Sequence, residues 1–94
     1  MENHWIERLG DFVSRKIDGE VIIISADGRH MHMLNETASL IWSCVEQRRS
    51  MDHLVDVMCR EYAVTHTKAR NDILAAAMKM AEKNLVRIDS TGNP

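Results

Sequence analysis

Aromatic side chains are scarce in this chain: two Trp, one Tyr and one Phe make up 4% of 94 residues. A core must therefore be aliphatic and methionine-rich. The seven Met fill volume well and adapt to varied apolar neighbours, although each of them serves equally well as ordinary core packing. Charge of one sign is also missing. A formal net charge of −2 provides no broad basic field to collect nucleic acid or an anionic membrane. Apolar runs are short: the β-branched stretch Val21–Ile24 is far from the ~20 residues that span a bilayer. The segment Met1–Leu9 holds Glu2, Glu7 and Arg8 with no apolar run, unlike a secretory signal. Cysteine is limited to Cys44 and Cys59, which form neither a Cys-x-x-Cys pair nor a disulfide framework. These absences point to a cytoplasmic protein with reduced thiols, off the membrane.

What is present suits one globular domain. At 45% hydrophobic and 28% charged residues, the chain is ordinary for a folded protein, and its length allows one modest core. The lead-in to Gly10 is weakly amphipathic, with Trp5, Ile6 and Leu9 at helical spacing, and suits a short helix or an ordered arm. Phe12–Ile17 predicts a first strand, closed by the turn signal Asp18-Gly19. Glu20–Ser25 predicts a second, because β-branched residues fill it. After a further turn signal, Asp27-Gly28, the segment Arg29–Leu34 alternates polar and apolar residues as a half-wet strand does.

The period changes at Asn35, a strong helix cap followed by Glu36 in the first turn. Ala38, Ile41, Trp42 and Val45 then recur at helical spacing. Gln47-Arg48-Arg49 predicts a polar connection. Ser50 caps a second helix with the stripe Met51, Leu54, Val55, Met58 and Tyr62. Thr65 or Thr67 caps a third, running to about Lys83 with the stripe Ala69, Ile73, Ala77 and Met80. Asn84 tolerates the left-handed backbone that stops a helix, and Leu85–Ile88 suggests a closing strand. Strands followed by helices predict an α+β fold, with the helices on one side of a three-stranded antiparallel sheet. The expected division is an N-terminal arm (1–11), a domain (12–88) and a flexible tail (89–94).

Chemistry-bearing residues are dispersed. His30 and His32 share a strand face, but no third or fourth ligand falls at a zinc spacing. Cys44 and Cys59 sit beside apolar helical positions, as inert buried thiols do. Asp72 has no second polar group placed to complete an acid–base pair. The expectation is a protein without catalytic residues, metal or cofactor.

The run Leu34-Asn35-Glu36-Thr37-Ala38, followed by Ile41-Trp42, resembles the pyrroloquinoline quinone biosynthesis protein D family, the peptide recognition elements of ribosomally made, post-translationally modified peptides. The resemblance extends from about Val13 to Val86 and takes in Asp72-Ile73 and Asn84-Leu85. Three departures stand out. Glu46-Gln47-Arg48-Arg49 replaces a frequent Asp-Gly pair, Asn84 replaces a frequent Gly, and Ala76-Ala77 stand where larger apolar residues are usual.

The resemblance implies a winged helix-turn-helix-like fold and a peptide-binding role. The leader of a precursor peptide would pair as an added strand with Arg29, His30, Met31, His32, Met33 and Leu34. On its other side it would meet the third helix at Ala69, Asp72, Ile73, Ala76, Lys79, Met80 and Lys83. The chemistry would belong to a separate modifying enzyme, commonly a radical S-adenosylmethionine protein. Strand addition draws affinity from main-chain bonds, and Arg29–Leu34 carries neither Pro nor Lys to block an edge. Asp72, Ala76, Lys79 and Lys83 fall on one helix flank, small in the middle and charged at its ends.

The alternatives are a winged-helix DNA-binding domain and a regulatory protein-interaction domain. For DNA, the third helix would present Asn71, Ala75, Met78 and Glu82, of which only Asn71 resembles a base reader, while Glu82 would repel phosphate.

Overall fold

The computed structural model describes residues 4–90. In chain order these form β1 (His4–Arg8), β2 (Val13–Ile17), β3 (Glu20–Ile24), β4 (Met31–Leu34), α1 (Glu36–Cys44), β5 (Arg49–Ser50), α2 (Met51–Tyr62), α3 (His66–Glu82) and β6 (Val86–Ser90). The fold is α+β. The strands make two antiparallel sheets, β2-β3-β4 and β5-β1-β6, where the sequence pattern led to one.

The meander β2-β3-β4 forms for the reasons its sequence suggests. Ile17 pairs with Glu20, so Asp18 and Gly19 are a two-residue hairpin loop. Both have positive φ, 51° and 85°, the backbone such a tight turn demands. The next connection is longer, and β4 starts two residues later than expected. The N–H of Arg29 bonds to Asp27 Oδ1 at 2.9 Å, and that of His30 to Ser25 Oγ at 3.1 Å. Side chains thus hold this backbone in a turn before it can join the ladder.

The second sheet was hidden in the lead-in. His4–Arg8 is a strand rather than a helix, paired over its whole length with β6 (His4 with Ser90 through Arg8 with Val86) and with Arg49-Ser50 through Trp5 and Ile6. Ile6 is fully buried. The helical spacing of Trp5, Ile6 and Leu9 misled because period alone cannot type so short a segment. Of the expected tail, Asp89 and Ser90 belong to β6, and residues 91–94 lie outside the described residues. The first three residues of the expected arm do so too.

All three helices start at side-chain caps. Asn35, Ser50 and Thr65 accept the N–H of Ala38, His53 and Lys68 at 2.8, 3.2 and 3.1 Å. The end of α3 is equally specified. Asn84, at φ 60°, donates to the Ala81 carbonyl at 3.0 Å, and Leu85 donates to that of Met80 at 2.9 Å. These two bonds with an αL residue form a Schellman motif.

The core lies among the inward faces of both sheets and the helices. It includes Ile6, Val21, Ile23, Leu34, Ile41, Trp42, Leu54, Ile73, Leu85 and Val86. The expected helix stripes are buried with one exception: Tyr62, at the last turn of α2, is 38% exposed. Over Trp42 lies the Arg8 guanidinium, 4.0 Å from the ring centroid and donating to the Trp42 carbonyl at 2.6 Å. Phe12 meets the same ring edge-on at 5.7 Å. Burial lowers the pKa of Arg8, opposed by the charge of Glu46. The strand β1 is thereby anchored across α1 as well as along β6.

Candidate functional site

Sheet β2-β3-β4 has two edges, and their sequences differ. The outer edge of β2 carries Arg15 and Lys16, charged residues of the kind that discourage further pairing. The outer edge of β4, Met-His-Met-Leu, carries no fixed charge. Its hydrogen-bonding groups follow from the register. The N–H of Ser25 donates to the His30 carbonyl at 2.9 Å, so the 25/30 pair is of the bonded kind. Antiparallel pairs alternate, which makes Ile24/Met31 and Ile22/Met33 non-bonded pairs. The N–H and C=O groups of Met31 and Met33 therefore point away from β3, to the open side.

That side is a cleft between β4 and α3. Three adjoining hollows share lining residues along it. The central one, about 90 Å³, is walled by Met33, Leu34, Ala38, Ala76, Met80 and Leu85, with Lys79 and Lys83 at its rim. Toward the start of α3 it continues past Asn35, Thr37, Asp72 and Ala75. Toward the start of β4 it continues past Phe12, His30, His32 and Asn84. A larger hollow of about 440 Å³ lies elsewhere, among Lys16, Leu40, Val57 and Tyr62, and includes both Glu36 and Glu61. It exceeds each part of the cleft taken singly, the flanking parts of which measure about 340 and 400 Å³. The cleft is the better candidate because it combines an apolar floor with a free strand edge.

The Leu34–Ala38 string builds the floor and the corner beside it. Leu34 is buried at the end of β4, Asn35 caps α1, and Ala38 is buried one turn on. Ser39 extends the string: its buried Oγ accepts the N–H of Val21 at 3.0 Å and donates to the carbonyl of Leu34 at 3.2 Å. The hydroxyl thus bridges β3 and β4 where their ladder ends. Sequence reasoning passed over Ser39, since a helical Ser ordinarily points to solvent.

The residues singled out from sequence divide into three groups. His30, His32, Met33, Leu34, Asp72, Ala76, Lys79, Met80 and Lys83 line the cleft, and Met31 presents its main chain at the edge. Ala69 and Ile73 are fully buried core residues of α3 and line none of the three hollows. Arg29 belongs to the turn before β4. Not anticipated were Asn35, Thr37, Ala38 and Leu85, which the strand-to-helix corner and the Schellman turn swing into the cleft, and Phe12. Ala75, assigned from sequence to the outward face with Asn71, Met78 and Glu82, lines the cleft instead.

On the face of the sheet turned from the core, Met31 and Met33 are 64% and 65% exposed, with Val13 at 57%. An added strand would continue this face as well as the inner one.

Among the described residues no group of three His, Cys, Asp or Glu is placed to hold a metal ion. Burial pushes the Cys44 thiol up from its ordinary pKa, with Arg49 opposing and Glu61 adding, which leaves it a poor nucleophile. Asp72 is engaged by Lys68 at 3.2 Å. No helix among the described residues is long and apolar enough to cross a membrane.

Comparison with known proteins agrees with the signature. No curated protein sequence matches the chain. Among solved structures it is similar to TbiB1, determined in complex with the TbiA(beta) leader peptide, with 29% identity and a TM-score of 0.70. That alignment covers 93% of this chain and 98% of the other. The model of the coenzyme PQQ synthesis protein D (PqqD) family matches residues 20–86, from β3 to the first residue of β6. With the Leu34–Ala38 corner, the open edge and the whole lining of the cleft except Phe12 inside that span, the chain belongs to the coenzyme PQQ synthesis protein D family.

Proposed function

We propose that this protein binds the leader segment of a ribosomally made precursor peptide and presents it to a separate modifying enzyme. The leader adds a strand to β4 and lies in the cleft against α3. The protein is an adaptor rather than a catalyst, works in the cytoplasm, and supplies its peptide to a radical S-adenosylmethionine enzyme. The helices and the β2-β3-β4 meander together act as a winged helix-turn-helix-like unit whose wing carries the binding edge.

One observation carries this reading: the main-chain groups of Met31 and Met33 turn to an uncharged edge, beside a cleft with an apolar floor. Main-chain pairing gives affinity for any extended peptide, and side-chain pockets give selectivity. The similarity to TbiB1, whose structure holds a leader peptide, supports it.

Two proline substitutions test the geometry. Met31→Pro removes an edge donor without touching the β3–β4 ladder, whereas His32→Pro removes a ladder donor. In calorimetric titration with an extended peptide selected from a random library on the wild type, Met31→Pro should abolish binding and keep the native circular dichroism. His32→Pro should lose structure itself. Ala76→Trp, which fills the central hollow, should weaken binding mainly through faster dissociation. Unchanged affinity in folded Met31→Pro overturns the strand-addition model.

A further inference from the structure

The cleft has a charge pattern opposite to that of the protein. The chain is net negative, at −2. Within the three joined hollows the fixed charges are Lys79, Lys83 and Asp72, and Asp72 is already paired with Lys68 at 3.2 Å. Neither Lys79 nor Lys83 is in an ion pair among the described residues, and both are exposed. His30 and His32 are the remaining titratable groups of the cleft, at the far end from Asp72. The first turn of α1, whose N-terminus is the positive end of its dipole, also borders it through Asn35 and Thr37.

Spacing narrows the chemistry further. Lys79 lies in the last turn of α3 and Lys83 is its C-cap, one turn on, a rise of about 6 Å. Alternate residues of an extended strand are separated by about 6.6 Å. Two carboxylates two residues apart on a bound strand therefore match two ammonium groups four residues apart on the helix. Between the lysines and β4, the hollow floored by Leu34, Ala38, Met80 and Leu85 measures about 90 Å³. A small hollow with this apolar lining suits a branched aliphatic side chain.

Building on the leader-binding reading above, we propose that the segment recognised here is acidic. It carries two Asp or Glu at alternate positions, set against Lys79 and Lys83, with a Val, Ile or Leu two residues further along the same face that fills the central hollow. The carboxylates select among extended peptides that the strand edge alone would accept indiscriminately. They also explain why a protein of net negative charge keeps two unpaired lysines on the wall of its cleft. The acidic residues steer and register the strand, and the main chain holds it.

The test is selection from a displayed library of random dodecapeptides, run on the wild type and on the double variant Lys79→Glu/Lys83→Glu. Both side chains are exposed, and circular dichroism checks that the variant keeps its fold. Wild type should enrich Asp or Glu two residues apart, with an aliphatic residue two further along. Its affinity for a selected peptide should fall about tenfold when both lysines become Gln. The Glu variant should enrich Lys or Arg at the same alternate positions. If selected peptides lose binding to Met31→Pro but show no acidic preference, the charge proposal fails while strand addition stands. If acidic peptides are selected but bind Met31→Pro unchanged, both fail.

Discussion

Ser39 offers the most direct check on how the wing is joined to the helices. Its hydroxyl is buried and makes two bonds, accepting from Val21 N–H at 3.0 Å and donating to Leu34 C=O at 3.2 Å. Ser39→Ala removes one oxygen and strands a donor on β3 and an acceptor on β4. Each buried group left without a partner costs about 1–3 kcal/mol. The larger hollow described above reaches Ser39, so a water molecule can enter and recover part of this loss. A destabilisation of about 2 kcal/mol is the expected balance, toward the low end of the two penalties together. For a domain of this size that lowers Tm by roughly 10 °C. Urea denaturation followed by circular dichroism should show a lower midpoint with an unchanged m-value. A loss below about 0.5 kcal/mol would mean that Val21 and Leu34 bond each other directly. The bridging role of the hydroxyl would then be refuted.

Two further outcomes follow from local chemistry. Ala63 ends α2 at φ 52°, a conformation costing an L-residue about 1 kcal/mol or more, so Ala63→Gly should raise Tm by several degrees in a thermal melt. Burial raises the Cys44 pKa, so this thiol should react with iodoacetamide at pH 8 more slowly than free cysteine does. The sign for folding follows: the contribution is intact below the ordinary thiol pKa and is lost as pH rises through it, because only the unfolded chain then ionises readily.

Much of the architecture was legible because local signals agreed with one another. Asn35, Ser50 and Thr65 each cap the helix their position suggests, and the stripes of α1 and α3 are buried as their spacing requires. Asp18-Gly19 and Asn84 adopt the positive φ that their side chains permit. What escaped was non-local. β1 and β5 are strands only because β1 lies between β5 and β6, and β6 is more than seventy residues away; nothing within Trp5–Leu9 encodes that pairing. The same limit applies to the cleft. Helical spacing groups Asp72, Ala76, Lys79 and Lys83 on one flank, and the structure brings them together. Spacing alone leaves Ala69 and Ile73 as candidates too, although both are fully buried in the core. Leu85 and Asn35 enter the cleft through turns, where side-chain direction has no period to read.

The corner Leu34–Ser39 joins several structural roles in one short string. In six residues it ends β4, caps α1, fills the core with Leu34 and Ala38, and bridges β3 to β4 through Ser39. Any extended, half-buried sequence can supply a strand, so strand residues are loosely constrained. A cap, a small buried residue and a bridging hydroxyl at fixed offsets are not interchangeable, since each satisfies a specific backbone group. The same corner fixes where β4 sits relative to α1, and α1 packs on α3. It therefore sets the width of the cleft without contributing much of its charge. Charge comes from the end of α3, at Lys79 and Lys83, whose side chains form no ion pair among the described residues. On the charge reading proposed above, shape and selectivity are held by different residues, so the preferred leader would change at the lysines while the corner stays as it is.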